Sequence, residues 1–565
     1  MTAVPKPNPF VDGSAMTLAD VYDKVETSPG LSEREQRECR SALKTASKWF
    51  DRPLEHLPAS LDYLRRKFER FHHEQANVTL ARVRNVRSLI KKAFAAAEIP
   101  VMRHYMAPMT PVWEQLWDIM EDQYERASLS RLFHYCSAQQ VQPDDINEEV
   151  SATFLNALVE EDLTSKPKTT HQTTCRIWMR CKDKYPDWPQ ISLQVPTYQE
   201  MFSLPWDTLE ESFLGEVESF LDRLALEGGL LDENGPPRAL SQSTIKKYEH
   251  QIRMAATALV RAGIPSDQIV SLSDLVTLAN FKRILGVFLD RNGGQTSCSI
   301  CEMACALKTI AKYHSEVPSG ELDALAAICK KLTVTSEGMT EKNAIRLSQL
   351  DDPFTRYKFL NHSVNRFAKL ERVAKLSRKI ALEASICLAM EILIHAPMRI
   401  SNLAGLDMEN HVHLPSAGRP GDTHLTVPKL NVKNRVLVEH HLPEHVTTMI
   451  RTYIRIFRPL LTTSTSSTAL FPNHKGAAKR SDSMSKQLGA YIWKELGIKW
   501  NAHIFRHFAA CLIIDERPGD YEGPRRLLHH QDANTTYNTY QGRETRSATK
   551  ALNDIIIRQR QAVGR

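Results

Sequence analysis

Residues of three kinds gather toward the end of this chain of 565. Arg399 stands in Ala396-Pro397-Met398-Arg399-Ile400-Ser401-Asn402-Leu403, and Arg506 in His503-Ile504-Phe505-Arg506-His507. Arg526-Leu527-Leu528-His529-His530 and Thr535-Thr536-Tyr537-Asn538-Thr539-Tyr540 follow. A guanidinium donates two parallel hydrogen bonds from a planar fork and never loses its charge. Imidazole titrates near neutrality and serves as donor or acid/base. A phenol is a nucleophile once it gives up its proton, which a free pKa of about 10 makes difficult without help. Together these types suit attack by a phenol on a phosphodiester while cations hold the charge that develops on the phosphoryl oxygens. On a helix His503 and Arg506 share a face, so both can point at one anion. His507 falls about 100° away and reads as a structural hydrogen-bonding residue.

The elements that must position these residues are mostly helical. Apolar residues recur at three and four in Leu43–Leu57, Leu80–Ala97, Trp113–Tyr135, Val150–Leu163, Phe213–Leu226, Thr244–Ala262 and Leu275–Leu289. Ile400, Leu403 and Leu406 anchor a helix that starts at Arg399, and Phe508–Ile514 continues the helix of Arg506. Strand patterning is confined to Thr423–Pro428 and Arg435–Leu442, joined by a polar turn as a hairpin. The expected fold class is mainly α with a small antiparallel β-sheet in the C-terminal domain.

Turn-rich breaks at Pro100–Pro111, Glu227–Ser243 and Thr333–Pro353 divide the chain. The expected domains are a helical arm over 1–105, a helical domain over 106–200, another over 201–335, and a mixed α/β domain over 336–565. The segment Ser130–Ile146 is similar to Ile252–Ile269: each is a helix end, a short turn, then Pro143 or Pro265, an acidic residue and Ile. Basic residues Arg84, Arg87 and Lys91 fall on one helical face at i, i+3 and i+7, as phosphate-positioning side chains or as a solvated face. Arg65, Arg66, Lys67 and Arg70 form a second basic group.

Charged residues at 25% and hydrophobic ones at 42% describe an ordinary soluble globular chain, and its net charge of +7 suits a nucleic-acid partner without demanding one. No apolar run has bilayer-spanning length, and Met1–Asp12 lacks the apolar stretch of a signal peptide. A cytoplasmic, nucleoid-associated location is expected, with no membrane partner. The ten cysteines are not a disulfide framework. Cys298, Cys301 and Cys305 at i, i+3 and i+7 read as one buried face of an apolar helix over Ser297–His314, and no metal site is expected.

The order Arg399, His503-x-x-Arg506-His507, His530 and Tyr540 resembles the signature of the tyrosine recombinases, the phage integrase family. The resemblance is specific from Arg399 to Gly542, weaker from Ser243 and faint before that. It implies a site-specific recombinase or integrase acting on double-stranded DNA, serving integration, excision or transposition of a mobile element. Tyr540 would form a 3′-phosphotyrosyl link, with Arg399, Arg506, His503 and His530 stabilising the transition state. A hairpin lysine, Lys433 or its neighbour Lys429, would protonate the departing 5′-hydroxyl. The bond energy would stay in the ester, so neither ATP nor any cofactor is called for.

The resemblance favours Tyr540 over Tyr537 as nucleophile and His530 over His529 as phosphate donor. His529 stands where the family usually has glycine, and Asn402 where it commonly has an acidic residue. Thr244-Ile245-Lys246-Lys247-Tyr248 looks like the opening of a core-binding domain that clamps DNA, with Lys246 and Lys247 as contacts; the 106–200 domain would be a degenerate copy. A homo-tetramer on paired sites, or an assembly with related recombinases, is implied. Leu552, Ile555 and Ile556 in a helix over Ala548–Ala562 would dock on a neighbouring subunit or on their own domain. A type IB topoisomerase or a hairpin telomere resolvase would use nearly the same residues, and an idle DNA-binding assembly subunit would keep the fold alone.

Overall fold

The computed structural model describes residues 16–99, 101, 108–163, 166–198, 202–226, 239–315, 317–334, 338–416, 419–428, 437–540 and 544–562. The chain divides into two compact units, residues 1–196 with 337–565, and residues 197–336. The fold is mainly helical, with one three-stranded antiparallel sheet.

In the first unit, α1 (Leu18–Glu26), α2 (Glu33–Phe50), α3 (Leu61–Arg70) and α4 (Leu80–Ala96) surround one core that includes Leu43, Leu64, Ile90 and Phe94. Capping boxes start α1 at Thr17 and α2 at Ser32, each closed by an acidic residue three positions on. The periodic segment Leu43–Leu57 does not stay helical throughout. Helix α2 stops at Phe50 because Asp51 turns left-handed and Pro53 follows.

A second core gathers α5 (Pro111–Ile119), α6 (Gln123–Ala138), α7 (Glu148–Glu160) and α8 (Pro167–Lys184) around Trp113, Phe133, Trp178 and Trp188. The expected single helix Trp113–Tyr135 is two helices. Met120 is extended, and the Asp122 side chain accepts from the Tyr124 N–H to begin a new one.

The second unit holds α9 (Glu211–Ala225), α10 (Gln242–Arg261), α11 (Leu272–Val276), α12 (Leu278–Arg291), α13 (Cys298–Tyr313) and α14 (Ser319–Leu332) around one core. On α13 the buried face is Ile300, Met303, Ala304, Leu307 and Ile310. Cys298 and Cys305 are exposed and Cys301 half-buried, which corrects the reading of a buried cysteine face.

The suspected repeat is a shared helix ending. After α6, Gln140 takes a positive φ and the Val141 N–H donates to Cys136 O; after α10, Gly263 and Ile264 repeat this against Leu259 O. A single 3₁₀ turn follows each proline.

The remaining helices belong to the first unit: α15 (Glu341–Ser348), α16 (Pro353–Glu371), α17 (Arg378–His395), α18 (Ile400–Ala404), α19 (Glu444–Thr452), α20 (Ser481–Leu496), α21 (Ala502–Glu516), α22 (Glu522–Leu528), α23 (Ala533–Tyr540) and α24 (Glu544–Ala562). Helix α17 is apolar on nearly every side because α16, α19, α20 and α21 all pack on it.

The sheet orders β1 (Val412–His413), β2 (Thr423–Val427) and β3 (Val438–Leu442) in sequence. Val427 pairs with Val438 and Leu425 with His440, so Thr423, Leu425 and Val427 face the core with Val438, His440 and Leu442. This is the expected hairpin, starting at Thr423 and ending at Leu442 as the alternation predicts, with most of its connection outside the described residues.

The turn between α3 and α4 is seated on the end of α20. The His72 ring meets Trp493 edge-on at 4.6 Å, and Gln75 Nε2 donates to Gly497 O at 2.8 Å. Gly497 closes α20 with a φ of +69°, and a Cβ there would lie 2.5 Å from His72 Nδ1. Glycine satisfies both conditions.

Candidate active site

Helix α21 starts where the Asn501 carboxamide oxygen accepts from the His503 and Ile504 N–H groups. This cap sets His503, Arg506 and His507 in the first two turns. Arg506 is buried and spends both arms on backbone: Nη1 donates to Pro397 O at 2.8 Å and Nη2 to Leu528 O at 2.6 Å. One guanidinium thus joins the segment before Arg399, helix α21 and the end of α22. Burial, and then Arg399 nearby, push it down to about 10, while Tyr540 opposes the shift.

Arg399 is the N-cap residue of α18; its carbonyl accepts from the Asn402 and Leu403 N–H groups, and its side chain makes no ion pair or hydrogen bond among the described residues. Its guanidinium is half-buried, and burial lowers its pKa. An unpaired arginine beside a second one is an arrangement that an anion would stabilise.

The imidazoles respond to this field. His503, at the solvent edge, is pushed below its ordinary value by surrounding protein and then by Arg506 and Arg399. His530 is held down to about 4 by burial, then Arg506, Arg399 and His503. Its Nδ1 lies 2.8 Å from Oγ1 of the buried Thr536. A hydroxyl donating to Nδ1 leaves the proton on Nε2, the form that donates to an oxyanion. The Thr535-Thr536 pair therefore matters through its second member.

His529 takes the left-handed conformation, φ 54°, at the end of α22. That is why glycine suits the position. Its ring meets His440 edge-on at 5.3 Å, and burial, Arg506 and Arg399 depress it as well.

The two tyrosines part company. Tyr540 is buried at the end of α23, and its hydroxyl lies 2.9 Å from His507 Nδ1. His507 is buried too and is held down to about 4 by burial, then His503, Arg506 and His530. It is therefore neutral at ordinary pH, and in the tautomer with its proton on Nε2 the Nδ1 lone pair accepts from the phenol. Tyr537 is exposed and packs on Tyr521 at 5.2 Å.

Helical spacing marks His507 as a hydrogen-bonding residue, and its partner is the phenol of Tyr540. His440 escaped the sequence reading. It points inward from β3, its Nε2 is buried without a hydrogen-bond partner among the described residues, and burial, His529 and Arg506 hold it down to about 4. The available signal was a histidine in register with Val438 and Leu442 on the apolar face.

Lys429 and Lys433 lie outside the described residues, in the connection between β2 and β3. Of the expected DNA contacts, Arg84, Lys246 and Lys247 are exposed, Lys247 pairing with Glu302 at 2.7 Å. Arg87 donates to Leu163 O and Lys91 pairs with Asp162, so both tie α4 to the end of the α7 segment. In the second basic group Arg65 is buried, bonded to the carbonyls of Leu158, Val159 and Asp162. Asn402 is buried in α18. On α24, Leu552, Ile555 and Ile556 are exposed. Among the described residues one group could hold a metal: Glu391, His395 and His445, apart from the arginine pair.

Residues 364–546 match the model of the phage integrase family, an interval that holds Arg399, Arg506, His530 and Tyr540. No curated protein sequence matches the chain. The XerH site-specific recombinase bound to difH substrate in a pre-cleavage complex is 17% identical, with 54% of this chain and 79% of that one covered and a TM-score of 0.35. A lambda integrase tetramer bound to a Holliday junction is 15% identical over 56% of this chain and 78% of that one, with a TM-score of 0.32. The Tn1549 transposon integrase in complex with transposon right end DNA is 16% identical over 56% and 95%, with a TM-score of 0.30. No described helix is long and apolar enough to cross a membrane.

Proposed function

Residues 364–546 are a phage integrase family domain, and from that premise we propose that this chain cuts and rejoins DNA strands through a phosphotyrosyl ester on Tyr540. The observation that carries the reading is the Tyr540 hydroxyl, 2.9 Å from a neutral imidazole and close enough to Arg506 to act on its charge. The Tyr540 oxygen attacks phosphorus, the bond to the 5′-oxygen breaks, and the phenolic proton passes to His507. A base held down to about 4 is weak, but a phosphate anion arriving between the arginines raises its affinity for a proton.

Arg399 and Arg506 hold the phosphoryl oxygens, with His503 and His530 as further donors. Lys433, or Lys429 beside it, protonates the leaving 5′-oxygen, which departs as a hydroxyl. The ester conserves the bond energy, so the reaction runs without ATP, metal or cofactor.

The same reading assigns 201–335 to DNA clamping, with Lys246 and Lys247 in contact with phosphates. It assigns 1–105 and 106–200 to accessory contacts, with Arg84 exposed for them. Strand exchange would proceed in a homo-tetramer on paired sites, with exposed Leu552, Ile555 and Ile556 docking on a neighbour, and would serve movement of a genetic element in the cytoplasm.

The test uses nicked duplexes from the flanks of the native gene. Wild type and Tyr537→Phe should form a denaturation-resistant adduct, and Tyr540→Phe should form none. An adduct lost only in Tyr537→Phe would reverse the assignment. No adduct despite salt-sensitive binding would leave a DNA-binding protein without this chemistry.

A further inference from the structure

Glu391 and His395 lie one turn apart at the end of α17, and His445 is the second residue of α19. Both imidazole Nε2 atoms converge on the same carboxylate oxygen, His395 at 3.2 Å and His445 at 3.0 Å. The donor atoms of all three residues lie within 4.8 Å of one another. The other carboxylate oxygen accepts from the hydroxyl of buried Ser363. Glu391 is only 2% exposed, whereas both imidazoles reach solvent. Among the described residues no lysine or arginine pairs with this carboxylate. A buried carboxylate normally needs a cation, and this one has only two imidazoles, aimed at one point from two helices.

We propose that Glu391, His395 and His445 bind a divalent ion of the zinc class. Two imidazole nitrogens and one carboxylate oxygen are a ligand set such ions accept, with an open side left for water. Bonds of roughly 2.0–2.1 Å in tetrahedral geometry put ligand atoms about 3.3 Å apart, close to the 3.2 and 3.0 Å from the carboxylate oxygen to the two imidazoles. On binding, each imidazole presents the Nε2 lone pair and keeps its proton on Nδ1. The Ser363 hydroxyl orients the carboxylate from behind, as outer hydrogen bonds do in metal sites.

The ion stands outside the strand-transfer chemistry. His395 is followed by Ala396 and Pro397, whose carbonyl holds Arg506, and then by Met398 and Arg399. His445 follows β3 across Pro443. The ion therefore pins the arginine segment to the helix that continues the hairpin.

The test titrates tag-free, chelator-stripped full chain with Zn²⁺ alone, by calorimetry and by thermal unfolding. Wild type should take one ion per chain and gain melting temperature. His445→Ala and His395→Ala, both at exposed positions, should bind at least tenfold more weakly and gain nothing. Co²⁺ should give visible absorption without a thiolate charge-transfer band. Three results would overturn the proposal: no binding by wild type, undiminished binding in both variants, or a thiolate band placing the ion on the cysteines of α13 and α14. Tyr540→Phe should bind zinc as wild type does, so the outcome is independent of the strand-transfer reading.

Discussion

His507 Nδ1 and the Tyr540 hydroxyl lie 2.9 Å apart, both buried, across two helices that the chain visits 33 residues apart. The hydrogen bond joins the candidate nucleophile to a side chain that a helical wheel turns away from Arg506. His507→Phe should keep DNA affinity and lower the rate of covalent adduct formation by roughly 10²–10⁴. Single-turnover adduct kinetics at saturating enzyme checks this. An unchanged rate would reduce His507 to a packing role.

The two arginines should separate by stability. Arg506 holds two backbone carbonyls, whereas Arg399 holds nothing among the described residues. Arg506→Ala leaves two buried acceptors unpaired, at about 1–3 kcal/mol each. Arg399→Ala should cost under about 1 kcal/mol. Both should lose adduct formation by about 10² or more. Denaturant unfolding beside the adduct assay distinguishes a variant that misassembles from one that folds and fails to react.

His529 holds a left-handed conformation that costs a non-glycine residue about 1–2 kcal/mol. His529→Gly should therefore be neutral or stabilising by up to about 1 kcal/mol, offset by greater freedom in the unfolded chain. If His530 faces the phosphate, the glycine variant keeps adduct formation and His530→Ala loses it. The reverse pattern would hand the role to His529.

Acid should destabilise the protein through its neutral imidazoles. His440, His507 and His530 are each held down to about 4, against 6.5 ordinarily. In the unfolded chain they take up protons as pH falls through about 6.5, while in the folded one they resist until about 4. The unfolded state binds more protons across that window, so stability present above it is lost as pH falls through it. Buried His440 and His507 each account for on the order of 3 kcal/mol, half-buried His530 for less because solvent screens it, and the sum is smaller still because they interact. Melting temperature against pH should drop over this interval, and His507→Phe should flatten the drop. DNA binding near neutrality should take up protons, measurable by calorimetry in buffers of different ionisation enthalpy.

What the sequence made legible were features that live on one element. The His503-x-x-Arg506-His507 spacing could be placed on a helix face before any coordinates, and the Thr423–Leu442 hairpin announced itself by alternation. Contacts between elements were not legible. Spacing places Arg84, Arg87 and Lys91 on one helical face, but it does not reveal that Leu163 and Asp162 are partners of Arg87 and Lys91. His440 enters the site only through the register of β3, and the Glu391 cluster joins helices 54 residues apart. The break within Trp113–Tyr135 depends on a cap, which periodicity does not see.

Gly497 carries a last consequence, for anyone shortening or swapping this chain. Its missing side chain makes room for His72, and its carbonyl is taken by Gln75, 422 residues upstream. A fragment beginning near residue 337 would expose a surface shaped for the turn between α3 and α4, with the Trp493 ring uncovered by His72. Trimming to the C-terminal domain therefore leaves an uncovered seam, and a chimera must carry both of its faces across together.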